Sequence, residues 1–346
     1  MYVEDRSAPA PWKAGLAALR EILSAPRTIA IVTHFNPDGD AMGSSLGLCA
    51  VLNKLGHQAR VVLPNTPPRN LHWMPGYAGA IAFDREREAS ERTIRNSDIL
   101  FCLDFNRPDR VGGLEPALRE ARIKVLLDHH RDPDPFPDIA FSDIGASSTA
   151  QIVYEVLDAL GYTDRIDQDA ATCLFTGLMT DTGSFRFPST TPRTLEIAAE
   201  MLRCGAVPER VHEAVMDDNS PSRLKLLGFA LSERLMVHQD LGTAVIILSK
   251  ADLDRYQYQP GDTEGLVNYG LSIRGVRLAA FIAERPDVVK LSLRSKGTLP
   301  VNEFLMRHFS GGGHANAAGG QSKEPLPAVV EKFMRELPAF LAMHPA

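Results

Sequence analysis

Short apolar runs alternate with amphipathic segments through the first half of the chain. The runs predict strands at 28–33, 59–63, 98–103 and 123–127, and apolar spacing predicts helices at 11–24, 41–55, 116–121, 147–160 and 168–179. The strands show no polar alternation and are separated by helices, which is typical of a parallel sheet covered on both faces. The first half is therefore predicted to be an α/β domain.

The pattern changes after residue 187. Residues 192–235 are mostly helical by spacing, with Pro192, Pro208 and Pro221 near helix starts, where proline is tolerated. Strands are predicted at 243–248, 276–283 and 288–293, and helices at 301–309 and 327–341. We therefore expect an α/β domain over 1–191, a helical connector over 192–235 and a smaller α+β domain over 236–346.

Composition narrows the class of protein. A chain of 346 residues is long enough for two domains, and its net charge of −6 argues against a surface that wraps long nucleic acid. Residues 1–15 lack the pattern of a signal peptide, and no apolar run reaches the ~18 residues of a membrane span. Four cysteines without CxxC spacing predict free thiols in a reducing cytoplasm.

Carboxylates and imidazoles follow several of the predicted strands. They are His34, Asp38 and Asp40 after 28–33, Asp104 after 98–103, Asp128, His129 and His130 after 123–127, and Asp181 after 172–180, which is also expected to be a strand end. Ligands of open α/β sheets bind at the carboxyl ends of the strands. Oxygen and nitrogen donors in this number indicate a site for two divalent cations.

Each of these motifs has a simpler interpretation on its own. The HxxxDxD spacing could be a polar loop with a helix-capping Asp, Asp104 could cap a turn, and the two histidines could be a packed pair. Their occurrence together favours the metal site. Gly43-Ser44-Ser45 would then open the following helix, whose free N–H groups favour anions.

The second domain contains candidates for holding an anion. Gly311, Gly312 and Gly313 could present consecutive N–H groups as an anion-binding nest, and His314 adds a donor or a stacking surface. Arg294, at the end of a predicted strand, could hold a phosphate through two parallel hydrogen bonds. A flexible glycine turn and a solvated arginine are the structural alternatives.

Taken in order, these segments resemble a known superfamily. HFNPDGDAMGSS, CLDFN, LLDHH and TGLMTDTGSF resemble the four motifs of the DHH phosphoesterases, and SLRS, GGGH and AAGG resemble the signature of the DHHA1 domain. The chain is most similar to the nanoRNase type within this superfamily. The resemblance implies a DHH catalytic domain, a smaller DHHA1 substrate-binding domain and an active site in the cleft between them.

The resemblance also implies roles for the individual residues. One metal would be bound by His34 and Asp38. The other metal would be bound by Asp40, His129 and Asp181, and Asp104 would bridge both. Asp128 would orient an imidazole, and His130 would face the substrate phosphate or the leaving group. The implied cofactor is a pair of Mn²⁺ ions, with Mg²⁺, Co²⁺ or Fe²⁺ also compatible with the donors. Arg294, Gly311, Gly312, Gly313 and His314 would bind the substrate.

The activity implied is hydrolysis of short oligoribonucleotides to 5′-mononucleotides, and of 3′-phosphoadenosine 5′-phosphate (pAp) to AMP and phosphate. Two cations ~3.5–4 Å apart would activate a hydroxide for in-line attack. The expected partners are short RNA, pAp or dinucleotides and a second copy of the chain, in the cytoplasm. No covalent intermediate is expected, because no cysteine or serine nucleophile is needed.

Other activities are compatible with the same catalytic motifs. A phosphodiesterase for linear or cyclic dinucleotides is a close alternative, whereas Gly311–His314 argues against a pyrophosphatase. A RecJ-like single-strand exonuclease would need a further nucleic-acid-binding domain. A silent nucleotide-binding protein would lack one of the ligands, and all are present. Phe105 stands where many relatives have Thr or Ser, which affects the surroundings of Asp104 but not its carboxylate.

Overall fold

The computed structural model describes residues 12–217 and 219–345. The chain divides into two units, Met1–Asp218 and Asn219–Ala346. The division falls inside the segment 192–235 that the sequence assigns to a connector. The predicted boundaries at 191 and 236 stay a prediction.

A six-stranded parallel sheet forms the centre of the first unit, in the order β3-β2-β1-β4-β5-β6. Its strands are β1 Thr28–Thr33, β2 Gln58–Leu63, β3 Ile81–Ala82, β4 Ile99–Leu103, β5 Lys124–Asp128 and β6 Ile139–Ser142. Strand β1 pairs with β2 on one side and with β4 on the other, so the strand order reverses between β1 and β4. The carboxyl ends of β1 and β4 thus border the kind of crevice in which α/β sheets bind ligands.

Helices cover both faces of this sheet, as the apolar strands predict. They are α1 Lys13–Ile22, α2 Gly39–Lys54, α3 Arg87–Arg95, α4 Glu115–Glu120, α5 Thr149–Leu160, α6 Gln168–Asp181, α7 Pro192–Arg203 and α8 Pro208–Met216. One apolar core includes residues of α2, α5 and α6, and a second includes residues of α3 and α4. Residue 11, where the first helix was predicted to begin, lies outside the described residues.

Two sequence predictions in this unit are wrong. Asp181 does not follow a strand, because residues 168–181 are one helix, as the apolar spacing over 168–179 predicts, and Asp181 is its last residue. Gly43-Ser44-Ser45 does not open a helix either, since α2 begins at Gly39. The hydroxyl of Ser44 donates to the carbonyl of Asp40 and that of Ser45 to the carbonyl of Ala41, each at 2.7 Å. Gly43 and both serines are buried. This segment therefore has no free donors for an anion.

Close contact between α2 and α6 explains the small residues there. A Cβ added at Gly43 would lie 2.4 Å from the carbonyl oxygen of Cys173 and 2.7 Å from the amide nitrogen of Gly177. A Cβ at Gly39 would lie 2.4 Å from Oγ1 of Thr180. The glycines thus let the start of α2 meet the end of α6, where Asp40 and Asp181 lie.

The second unit contains a mixed sheet in the order β11-β12-β10-β9-β8-β7. Its elements are α9 Pro221–Glu233, β7 Leu235–His238, β8 Thr243–Leu248, α10 Lys250–Arg255, α11 Leu266–Leu271, β9 Leu278–Glu284, β10 Val289–Ser295, α12 Val301–His308, β11 Ser310–His314, β12 Ala317–Ser322 and α13 Leu326–Met343. Strands β8 and β9 are parallel, and the other pairs are antiparallel. The predicted α+β class is confirmed.

The glycine segment of this unit is a strand rather than a turn. Residues 310–314 form the edge strand β11, whose Gly311 pairs with Gly320 and Gly312 with Gly319 of β12. A Cβ at Gly311 would lie 2.6 Å from the carbonyl oxygen of Gly319 and 2.9 Å from Cβ of Leu305. Gly311 is therefore explained by the close approach of β11 to β12 and to α12. Local sequence patterns do not reveal this packing.

Two further expectations concern membranes and cysteines. Among the described residues, no helix has both the length and the apolar content needed to cross a membrane. The four cysteines are free thiols, and burial raises the pKa of Cys49 to about 11. The prediction of free thiols is confirmed.

We predict that Gly43→Ala destabilises the first unit by about 3 kcal/mol, because the added methyl overlaps the backbone of α6 and the helices must separate. Urea denaturation measures the loss. Gly79→Ala is the matched control, since a Cβ there meets no atom within 4 Å and stability should change by less than about 1 kcal/mol. Equal effects of the two substitutions would contradict the role of the helix contact.

Candidate metal centre

Strand ends and helix ends of the first unit bring the predicted ligands together. His34 follows β1, Asp104 follows β4, and His129 follows β5. Asp38 is the N-cap of α2, whose first turn contains Asp40. The remaining residues are Asp181 at the end of α6, Asp128 at the end of β5 and His130.

Asp104 lies at the centre of this group and is 2% exposed. Its Oδ2 is 3.4 Å from Nε2 of His34, and its Oδ1 is 3.5 Å from Nε2 of His129. The two oxygens thus face different imidazoles. Asp104 has a φ of 66°, a left-handed conformation that Asp tolerates better than most residues and that stores strain at functional sites. This backbone turn directs the carboxylate into the cluster.

His34 directs its Nε2 toward two carboxylates. Its Nδ1 lies 3.0 Å from the carbonyl oxygen of Phe35, which can only accept, so the neutral ring carries its proton on Nδ1. Nε2 then faces Asp104 at 3.4 Å and Asp38 Oδ2 at 3.8 Å. In the neutral ring Nε2 carries the lone pair, so this nitrogen and the two carboxylates are a donor set that fits one divalent cation.

The pKa values of His34 and Asp104 show that positive charge is favoured at this position. Burial favours the neutral ring of His34, but hydrogen bonds to Asp104 and Asp38 raise its pKa well above 6.5. Burial likewise opposes ionised Asp104, whereas hydrogen bonds from His129 and His34 hold its pKa well below the usual range. The ionised carboxylate of Asp104 is therefore stabilised by positive charge on both of its sides.

A second group of donors lies on the other side of Asp104. Nε2 of His129 is 3.4 Å from Oδ2 of Asp181, and donor atoms of Asp40, Asp104 and His129 all lie within 4.8 Å of one another. Burial raises the pKa of Asp181 to about 7, and burial together with the charge of Asp104 raises that of Asp40. Burial opposes protonation of His129, but Asp104 and the other carboxylates raise its pKa to about 10. Divalent cations would relieve this crowding of buried carboxylates.

The donors therefore form two triads that share one residue. His34, Asp38 and Asp104 form the first, and Asp40, Asp104 and His129 form the second. Asp181 adjoins the second triad through His129. The structure thus brings together every residue that the sequence proposes as a metal ligand, and Asp104 is the residue that both triads share.

His130 and Asp128 form a separate pair beside the triads. Nδ1 of His130 donates to Oδ1 of Asp128 at 2.7 Å, so the lone pair of the neutral ring is on Nε2. Asp128 is fully buried, and its Oδ2 has no hydrogen-bond partner within the described part of the chain. The side chain of His130 is 23% exposed, compared with 10% for His129. The adjacent histidines therefore differ in their surroundings, as expected at a strand end.

The N-terminus of α5 supports the cluster, and the sequence reasoning missed it. The amides of Thr149 and Ala150 donate to the two carboxylate oxygens of Asp40 at 2.6 and 2.9 Å. The hydroxyl of Thr149 donates to Oδ1 of Asp104 at 3.0 Å. Helix N-termini stabilise anions, so α5 holds both carboxylates. The run Ser147-Ser148-Thr149 at a predicted helix start was the available signal.

The proposed substrate-binding residues of the second unit lie on two faces of its sheet. Arg294 pairs with Ala317, which pairs with His314, so Arg294 and His314 share one face. Gly312 lies on that face as well, because it is two residues from His314. Gly311 and Gly313 lie on the opposite face. The segment is extended, which differs from the predicted anion nest.

Arg294 is half-buried on its strand. Its Nη1 donates to the carbonyl of Leu293 at 3.0 Å, and burial lowers the pKa of the guanidinium although the charge of Glu264 opposes this shift. An arginine held in partly apolar surroundings gains from an anionic ligand. Its role in substrate binding stays a prediction.

We predict that Thr149→Val weakens divalent-cation binding by about 10- to 100-fold, because Asp104 loses the donor that orients it. Calorimetric titration with Mn²⁺ measures the affinity. Thr149→Ser keeps the hydroxyl and should retain most of it. The prediction is wrong if the Val and Ser variants bind Mn²⁺ equally well.

Comparison with known proteins supports the motif-based interpretation. The DHH family N-terminal domain matches residues 28–178, and the DHHA1 domain matches residues 240–343. The bifunctional oligoribonuclease and PAP phosphatase NrnA of Thermus thermophilus is 32% identical over 324 residues, which cover 92% of each chain.

Solved structures agree with this result. An exopolyphosphatase-related protein from Bacteroides fragilis is 35% identical, with a TM-score of 0.92 over 96% of this chain and 97% of that one. RecJ in complex with Mn²⁺ from Thermus thermophilus shares the fold at 15% identity and a TM-score of 0.53, over 96% of this chain and 55% of that one. With both domains matched and close relatives that align over nearly the whole length, the chain belongs to the DHH–DHHA1 family of phosphoesterases.

Proposed function

We propose that this phosphoesterase hydrolyses short oligoribonucleotides to 5′-mononucleotides, and pAp to AMP and phosphate. The observation that carries the proposal is the pair of donor triads sharing Asp104, in a chain that is similar over 92% of its length to a protein named for these two activities. Both reactions break a phosphoester bond to a ribose oxygen, so one site can serve both.

We assign the cluster to two divalent cations, with Mn²⁺ as the proposed ion and Mg²⁺ or Co²⁺ as substitutes. One ion would be held by His34 and Asp38. The other ion would be held by Asp40, His129 and Asp181, and Asp104 would contribute to both. When bound, the ions would activate water for attack on phosphorus and neutralise charge on the phosphoryl oxygens. The amides of Thr149 and Ala150 keep Asp40 in place for this.

His130 is proposed to protonate the leaving group. Its Nδ1 proton is held by Asp128 at 2.7 Å, so a protonated ring has its second proton on Nε2 to give away. When the bond between phosphorus and the ribose oxygen breaks, that oxygen takes this proton. Asp128 is a positioning residue, which fixes the ring and stabilises its positive charge.

In the second unit, Arg294 and His314 are proposed to hold a substrate phosphate from their shared sheet face. Gly312 leaves that face open between the strands, because a Cβ there would meet nothing within 4 Å. Gly311 and Gly313 are proposed to act indirectly, by keeping β11 close to β12. A homodimer and a cytoplasmic location stay predictions from the sequence.

A substrate panel tests the proposed function. With Mn²⁺ present, we predict faster hydrolysis of pAp and of a five-residue RNA than of a long single strand or pyrophosphate, with pGpG as a further substrate. Asp104→Asn should lose more than about 100-fold in turnover while remaining folded, because Asn tolerates the left-handed backbone. His129→Ala should also lose activity. A preference for pyrophosphate or the long strand would refute the proposal.

The role of His130 has its own test. We predict that His130→Ala lowers kcat on pAp by about 100-fold or more, since the ribose oxygen then leaves without a proton. A nitrophenyl phosphoester, whose leaving group needs no proton, should lose much less. Asp128→Asn should lower kcat less than His130→Ala does, and its loss should again be larger on pAp than on the nitrophenyl phosphoester. Equal losses on both substrates would show that His130 does not act as the acid.

A further inference from the structure

The register of β10, β12 and β11 arranges one face of the second unit's sheet in rows. Residues directly opposite on paired strands point to the same face. The first row is Arg294, Ala317 and His314, the second Ser292, Gly319 and Gly312, and the third Lys290, Gln321 and Ser310. Polar side chains therefore lie at both ends of this face.

The middle row is open because it contains two glycines. A Cβ at Gly312 would meet no atom within 4 Å, and one at Gly319 would meet only the carbonyl oxygen of Leu291 at 4.0 Å. Packing does not require these glycines, in contrast to Gly311. We call the surface from the first row to the third the trough. Gly319, Gln321 and Ser310 are exposed, so the trough is accessible.

A basic cavity adjoins the far end of the trough. It has a volume of about 440 Å³, and its lining includes Ser310 and Gln321 of the third row together with Arg307, His308, Lys323 and Lys332. None of the described residues that line it has a carboxylate. Four basic side chains around one cavity are unexpected in a chain with a net charge of −6. The cavity therefore favours anions.

The charges at this cavity are only partly neutralised. Nζ of Lys332 is 3.7 Å from Glu324, and Nδ1 of His308 is 3.9 Å from Glu336. Arg307, Lys323 and Lys290 make no ion pair with any described residue. The C-terminus of α12 accounts for a cation at Arg307 through the helix dipole, but it does not account for Lys323 or Lys290.

The spacing of the rows restricts the ligand that could use both ends. Arg294 and Lys290 are four positions apart on β10, a distance of ~13 Å along the strand. The phosphates of pAp are attached to one ribose, whereas those of an oligonucleotide recur along its chain. Of the two proposed substrates, only an oligonucleotide could place phosphates at both ends of the trough.

From these observations we propose that the basic cavity is a second phosphate-binding site, which holds a phosphodiester of short RNA whose terminal phosphate lies at Arg294 and His314. The proposal rests on the proposed function and extends it to substrate length. Arg307 and Lys323 contact the phosphate, and the glycines of the trough let the RNA backbone pass. pAp does not use this site.

The test compares Arg307→Ala/Lys323→Ala with Lys225→Ala/Lys250→Ala, which removes two exposed lysines elsewhere in the same unit. KM for a five-residue RNA should rise roughly tenfold in the first variant, with kcat unchanged and with pAp affected less than about twofold. The salt dependence of RNA binding should also weaken, by a slope of about 0.7 for each phosphate that the protein no longer neutralises. The control variant should resemble the wild type.

A second variant probes the trough itself. Gly319→Val adds a side chain into open space on a strand, where valine is favoured, so the fold should persist. It should weaken hydrolysis of the five-residue RNA more than that of pAp. Equal effects on RNA and pAp in both this variant and the double variant would overturn the proposal.

Binding separates this inference from the proposed function. Fluorescence anisotropy measures the affinity of a labelled five-residue RNA for Asp104→Asn, with and without the Arg307/Lys323 substitutions. If the wild-type protein hydrolyses no RNA but binding still depends on Arg307 and Lys323, the proposed function fails and the second site stands. If binding is the same with and without them, the second site is refuted whatever the activity.

Discussion

The structure depends on holding several carboxylates close together in a buried place. Asp40 and Asp104 are 1% and 2% exposed, and Asp181 lies against His129, so their mutual repulsion is poorly screened by water. The first unit offsets it with the α5 N-terminus and with imidazoles on either side of Asp104. The negative charge that remains favours the binding of divalent cations. Such cations are what the hydrolysis of phosphoesters would use, so the charge of the cluster connects the fold to the chemistry.

Glycine contributes to both units, but for different physical reasons. Gly43 and Gly177 let α2 and α6 approach, and a Cβ at Gly177 would lie 2.6 Å from Oδ1 of Asp40. These glycines therefore help to position Asp40 in the candidate metal centre. In the second unit, Gly311 allows close strand packing, whereas Gly312 and Gly319 leave a sheet face open. Glycine thus allows helices and strands to pack closely at some positions and leaves a sheet face open at others.

The strands that carry the candidate metal ligands were predictable because they are buried on both faces. Strand β1 has the predicted bounds, and β4 and β5 differ from them by one residue. Strands β3 and β6 and helix α3 were missed, since they are short or polar and their burial depends on neighbours. Asp181 was predicted after a strand, because an apolar run does not by itself distinguish a buried helix from a buried strand. Its position beside His129 was nevertheless anticipated from the motifs.

The sequence by itself determined the fold class, the family and the set of candidate metal ligands, because these follow from local apolar patterns and from motif residues in a fixed order. Only the tertiary structure decided which donors meet at Asp104, that Thr149 and Ala150 hold the carboxylates, and that Gly311–Gly313 form a strand. These facts depend on contacts between residues far apart in the chain. Thr149 and Asp40, for example, are 109 positions apart, and no local pattern specifies such a contact.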